Sequence, residues 1–117
     1  MDATNLLKHL REVSNRYNMN TFEISAMHFK YDERKSETNL NKHGIDFDEV
    51  QELWSGDTVS FRADVKGESR YKVIGRIEGE YWAVIHTMRG ERIRIISARR
   101  ATANERSEYD KRIDKRR

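Results

Sequence analysis

Cysteine and proline are both absent from this chain of 117 residues, and glycine occurs only six times. Without a thiol there is no disulfide, no thiolate metal site and no cysteine nucleophile, and a reducing compartment fits. Without proline there is no stiff proline-rich linker, and no repeat or low-complexity tract takes its place. Long apolar runs are missing as well. None approaches the roughly 18 residues a membrane span needs, and Met1 to Tyr17 lack the continuous apolar stretch of a secretion signal. A cytoplasmic protein is expected.

What fills the sequence is charge. Charged residues make up 37% and mean hydropathy is -0.98, yet the apolar residues recur periodically, which predicts a small core under a charged surface. A chain of this length forms one domain and can bury roughly two thirds of its unfolded surface. The net charge of +3 permits contact with phosphates or an acidic partner, so the placement of the arginines matters more than their number. The acids are scattered over helix starts and exposed faces rather than clustered as hard metal ligands, so neither a metal nor another cofactor is expected.

Leu6, Leu10, Val13 and Tyr17 recur at spacings of four, three and four, which predicts an amphipathic helix over 3–17. From Met27 a short alternation sets Phe29 and Tyr31 against His28 and Lys30 as a first strand. Asp32 caps a helix that runs to His43 and stops at Gly44; Asp46 and Glu49 cap another, with Val50, Leu53 and Trp54 as its buried stripe and Gly56 as its end. The period then changes to two. Val59, Phe61 and Ala63 alternate, turns fall at Lys66-Gly67, Glu78-Gly79 and Arg89-Gly90, and the strands between them form an antiparallel meander. Thr102 and Glu105 form a capping box for a charged terminal helix whose apolar contacts are Tyr109 and Ile113. The predicted architecture is α+β: a helical layer on one face of a small antiparallel sheet, its opposite face open, and a C-terminal helix.

The run Phe29-Lys30-Tyr31-Asp32, with Lys35, Asn39, Asn41-Lys42-His43-Gly44-Ile45, Phe47 and Glu49, resembles the opening of the BrnT family. The later run does too: Arg70-Tyr71, Gly75, His86-Thr87-Met88-Arg89-Gly90 and Arg92-Ile93-Arg94-Ile95-Ile96-Ser97-Ala98-Arg99, followed by Ala101, Glu105 and Tyr109. Tyr31 stands where that family usually has tryptophan, and Met1 to Ala26 have no counterpart in it. The chain thus divides into an extension, 1–26, and a BrnT-like domain, 27–117. The resemblance implies a RelE-like fold and a type II toxin whose ribonuclease activity inhibits translation and growth. A DNA-binding antitoxin of the BrnA type would neutralise it.

Metal-free RNA cleavage lets the 2′-hydroxyl attack its own phosphate and needs a base, an acid and cations for the added charge. Arginine suits the last role, because its planar fork pairs with phosphate oxygens and keeps its charge. Strand alternation puts Arg70, Lys72 and Arg76 on one face, and Arg92 and Arg94 on one face of their own strand. Arg70, His86, Arg94 and Arg99 are the catalytic candidates; Lys72, Arg76, Trp82, Arg89 and Arg92 are the RNA-binding ones. Arg99 either turns toward the site or caps its strand. The face of His86 depends on turn parity. With three-residue loops ending at Gly79 and Gly90, the expected case, it aligns with Arg70 and Arg92; with two-residue loops it faces the core and Thr87 takes its place. His43 reads as a helix-end residue rather than a catalyst, Lys35 and Lys42 are within reach of phosphate, and Trp54 belongs to the core while Trp82 shares the parity of His86. A non-catalytic nucleic-acid-binding module would use the same basic sheet, and a pure interaction domain is the third alternative.

The helix predicted over 3–17 is too short to persist alone in water, so it must dock. Its own helical layer, a second copy of the chain in a homo-oligomer and the open sheet face are the available surfaces, and its heptad-like spacing favours another helix. A chain beginning at Met27 is therefore expected to stay folded and keep RNA cleavage while changing in stability or oligomeric state. Sedimentation and a cleavage assay on both lengths decide this; a folded but wholly inactive shorter chain would place the extension in the site.

Overall fold

The computed structural model describes residues 29–90 and 92–116. The helix predicted over 3–17, and Met27 and His28 of the predicted first strand, lie outside them. In order come β1 (Phe29–Lys30), α1 (Glu33–His43), a 3₁₀ helix (Glu49–Ser55), β2 (Val59–Arg62), β3 (Tyr71–Ile77), β4 (Glu80–Arg89), β5 (Arg92–Arg100) and α2 (Ala103–Lys115). The fold is α+β.

Local chemistry accounts for the helix ends. The Asp32 carboxylate accepts from the backbone N–H groups of Arg34 and Lys35, and α1 stops at Gly44 in the left-handed region with φ 80°. Asp46 accepts from Glu49 N at 2.7 Å, as its spacing predicts, but the segment that follows is a 3₁₀ helix rather than an α-helix. Val50, Leu53 and Trp54 are buried in it all the same.

The strands lie in the order β1-β5-β4-β3-β2. From β2 to β5 every neighbour is antiparallel, but β1 pairs in parallel with β5, so the sheet is mixed where an antiparallel one was expected. The helical layer carries the chain from β1 at one edge to β2 at the other, and three reversals return it to β1 running the same way. On that layer's side Ile45, Phe47, Leu53 and Trp54 meet Val73, Val84, Ile93, Ile95 and Ala98. The approach is closest at Gly75, where a Cβ would stand 2.8 Å from Leu53 Cγ, so only glycine fits beneath the 3₁₀ helix.

The helices do not all share one face. Helix α2 crosses the other side of the sheet, setting Tyr109 and Ile113 on Val59, Ile74 and Ala83, with the Tyr109 hydroxyl donating to the Asp57 carbonyl at 3.0 Å. That face is therefore covered at its β2–β3 side and open toward β4 and β5.

The expected three-residue loops are not formed. Ile77 pairs with Glu80 and Arg89 with Arg92, so two residues make each turn. Glu78 and Gly79 both adopt positive φ, 50° and 84°, the mirror-image turn whose twist matches that of the strands it joins. A bulge follows on β5: Ile85 pairs with Ser97 and His86 with Ile95, leaving Ile96 as the extra residue.

Asn39 fastens α1 to β5. Its Nδ2 donates to the carbonyls of Ile45 and Ala98 at 2.8 Å each, and its Oδ1 accepts from Ala98 N at 3.1 Å, all within the core. Asn39→Ala leaves these backbone groups buried without partners and should cost about 2–3 kcal/mol of stability. Urea denaturation measures this; a loss below about half a kcal/mol would show that the contact is dispensable.

Candidate functional site

The two-residue turns decide which side chains meet. On the face away from the 3₁₀ helix, Lys30 of β1 lies beside Arg94 of β5, Arg94 pairs with Thr87 of β4, and continuing the Tyr71–His86 pairing brings Arg70 opposite Thr87. Three cations thus stand in one row across four strands, with buried Thr87 among them. The Thr87 hydroxyl donates to the Ser69 carbonyl at 2.8 Å and fixes the approach to Arg70. Arg92 and Arg89 pair with each other on the same face, one step toward the turn. Among the described residues Arg92 and Arg94 have no ion-pair or hydrogen-bonding side-chain partner, which leaves both guanidinium groups available to an anion.

A second group adjoins this row. The Glu105 carboxylate accepts from Arg99 through two bonds of 2.7 and 3.0 Å, receives the Lys72 ammonium at 2.9 Å, and accepts from Thr102 N at 2.9 Å. The guanidinium of Arg99 above all, then the Thr102 N–H and Lys72, hold the Glu105 carboxyl far below the usual carboxylate range despite its burial. Arg99 is accordingly both turned to the open face and pinned there, joining the two alternatives that its position at the strand end left open. The Ile96 bulge makes this alignment: Arg94 and Arg99 are an odd number of residues apart and would otherwise point to opposite faces.

Other predicted residues go elsewhere. His86 does not align with Arg70 and Arg92; with two-residue turns it faces the helical layer, stacks on Tyr71 at 5.4 Å and meets Trp54 edge-on at 5.7 Å. Its Nδ1 has no hydrogen-bond partner among the described residues, and burial lowers its pKa from 6.5 to about 4, a shift the Thr87 backbone only partly opposes. Trp82 shares its parity with His86, as expected, but lies in the core at 6% exposure beneath the Arg100 guanidinium. Arg76 shares a face with Arg70 but sits about 20 Å further along β3, over the Tyr81 ring and bonded to the Gly79 carbonyl. His43 ends α1, as its neighbour Gly44 predicts.

Two participants escape a reading of the sequence. Glu105 shows only as a helix cap, since nothing local announces that Arg99 and Lys72 converge on it. Glu68 accepts from Arg70 Nε and Nη2 at 3.2 and 3.1 Å, with Arg89 at 3.8 Å from its other oxygen.

A cation-lined sheet face of this kind belongs to proteins that engage polyanions, and the class here is the ribonuclease toxins of type II toxin–antitoxin systems. The chain belongs to the BrnT family: the model of that family, described as a ribonuclease toxin, BrnT, of type II toxin-antitoxin systems, matches residues 31–105. Membership implies an RNA substrate and an antitoxin partner. No curated protein matches the chain. Among the described residues no helix is long and apolar enough to cross a membrane.

Because folded His86 resists protonation, an unfolded chain binds a proton between pH 6.5 and about 4 that the folded one does not. Stability should be full above pH 6.5 and fall as the pH drops through this window. His86→Phe keeps an aromatic ring in the cage and should flatten the profile there. Thermal midpoints of both proteins between pH 7 and 4.5 test this; parallel curves would mean that His86 titrates normally.

Proposed function

We propose that this chain is a RelE-like, metal-independent endoribonuclease that works in the cytoplasm and inhibits translation and growth. Its site is the open basic face of the sheet. The observation that carries the reading is the row formed by Arg70, Thr87, Arg94 and Lys30, in which Arg94 has no anionic partner among the described residues.

In this reading the RNA 2′-hydroxyl attacks the adjacent phosphorus and gives its proton to water, the P–O5′ bond breaks and the departing 5′-oxygen takes a proton from water. Arg94 and Arg70 meanwhile hold the non-bridging oxygens and stabilise the charge that builds on them. Arg99, with Lys72, is a positioning residue: Glu105 fixes both at the border of α2, where they meet the neighbouring phosphates. Arg92 and Arg89 extend the track. Shielded His86, neutral near pH 7, supports Tyr71 rather than exchanging protons with substrate, so orientation and electrostatic stabilisation supply the rate. The acids Asp32, Asp46 and Glu105 are engaged in caps and ion pairs, which favours a mechanism that asks no metal of them. A BrnA-type antitoxin would silence the toxin by laying acidic and apolar groups over this face.

RNA cleavage should survive EDTA and leave a 2′,3′-cyclic or 3′-phosphate, and DNA, lacking the nucleophile, should be inert. Arg94→Ala and Arg70→Ala should each slow cleavage by roughly a hundredfold or more without unfolding the protein. End-group analysis and single-turnover rates check both statements. Dependence on added divalent metal would sink the mechanism, and near-normal rates in both folded variants would remove the basic face from it. Salt-sensitive binding without product would favour the non-catalytic module.

A further inference from the structure

At the end of the sheet where β3 begins and β4 ends, a cleft of about 250 Å³ opens between Glu68, Ser69, Tyr71, Thr87, Met88 and Arg89. Water occupies ~30 Å³ per molecule in the liquid, so the cleft has room for about eight waters, more than one nucleobase displaces. Its walls combine three properties. Tyr71 is a half-buried ring that cannot swing freely: the His86 imidazole lies against it, nearly parallel at 22°, and Trp54 braces His86 in turn. Met88 brings a soft apolar side chain, 41% exposed, to the same wall. Glu68 supplies an acceptor. Both Arg70 bonds go to its Oε2, while its Oε1 stands 3.8 Å from Arg89, beyond hydrogen-bonding reach.

We infer that this cleft is a nucleobase subsite, in which Tyr71 stacks on a base next to the phosphate held at Arg70 and Glu68 selects guanine. The inference rests on the RNA-cleaving reading above and names a specificity element of that site. A flat ring backed by a second ring is pre-organised for stacking, which is worth ten- to a hundredfold in affinity per base and is indifferent to base identity. Identity comes from the carboxylate, which only accepts hydrogen bonds. Guanine offers it two adjacent donors, N1–H and the exocyclic amine. Uracil offers one N–H flanked by two carbonyl oxygens that repel it. Because Arg70 bonds directly to Glu68, the phosphate-binding guanidinium and the base-reading carboxylate sit within the span of one nucleotide. Tyr71 lies on the His86 side of the sheet and Arg70 on the other, and the cleft, lined by residues of both faces at the sheet's end, is where a base and its phosphate reach both.

The experiment uses the full chain and 2′-O-methyl oligouridines, which resist attack by the blocked 2′-oxygen, carrying one guanosine or none; binding is read by fluorescence anisotropy. The guanosine probe should bind about tenfold more tightly. Glu68→Gln should erase that preference. Tyr71→Leu keeps apolar bulk against His86 but loses the stacking face and should weaken both probes roughly tenfold, whereas Tyr71→Phe should bind as the unaltered protein does. Equal affinity for the two probes, or unaltered binding by Tyr71→Leu, would overturn the inference. Cleavage of ordinary RNA is measured in parallel. Active protein without base preference removes the subsite and leaves the ribonuclease reading standing, while selective binding without cleavage of any RNA does the reverse.

Discussion

One extra residue in β5 holds the arrangement together. Ile96 bulges between the pairs Ile85–Ser97 and His86–Ile95, and from there the alternation of the strand is inverted. Before the bulge Ile93 and Ile95 enter the core; after it Ala98 does, three residues beyond Ile95. The same inversion brings Arg99 to the side of Arg92 and Arg94. A regular strand that kept Ile93 and Ile95 in the core would turn Ala98 to the open face and Arg99 into the core, because the side-chain period of two puts residues an odd number apart on opposite faces.

The inverted strand is gripped from both sides by polar side chains that answer particular groups. On the helical side Asn39 bonds both the N–H and the carbonyl of Ala98, just past the bulge, so the irregular backbone stays in register with α1. On the other side Glu105 ties the next residue, Arg99, to the first turn of α2. Asn39 and Glu105 are buried and fully engaged, which is the condition under which burial of polarity specifies a structure rather than weakening it. Cations and carboxylate together keep the border of the basic face rigid, while Arg92 and Arg94, with no carboxylate partner among the described residues, are where an incoming phosphate finds little competition.

Aromatic packing links this face to the other one. His86 is neutral and enclosed, braced by Trp54 and covered by Tyr71, so the ring that lines the cleft at the sheet's end is supported through the core. Acidification weakens this support, because the imidazole gains its proton only by leaving the cage or by charging inside it, and both cost stability.

The BrnT assignment, the helix boundaries at Asp32, Gly44 and Thr102, the buried stripe of Val50, Leu53 and Trp54, and the shared face of Arg92 and Arg94 were all legible in the sequence. Each depends on residues a few positions apart, where capping geometry and side-chain periodicity act directly. The side taken by His86 was not, since it turns on whether a glycine turn holds two residues or three, and that is decided by which register buries Val84 and Ile95 together. Nor could local pattern disclose the parallel pairing of β1, the placement of α2 on the opposite face or the convergence of Arg99 and Lys72 on Glu105. These join residues far apart in the chain, and their free energy exists only once the sheet has brought them within contact.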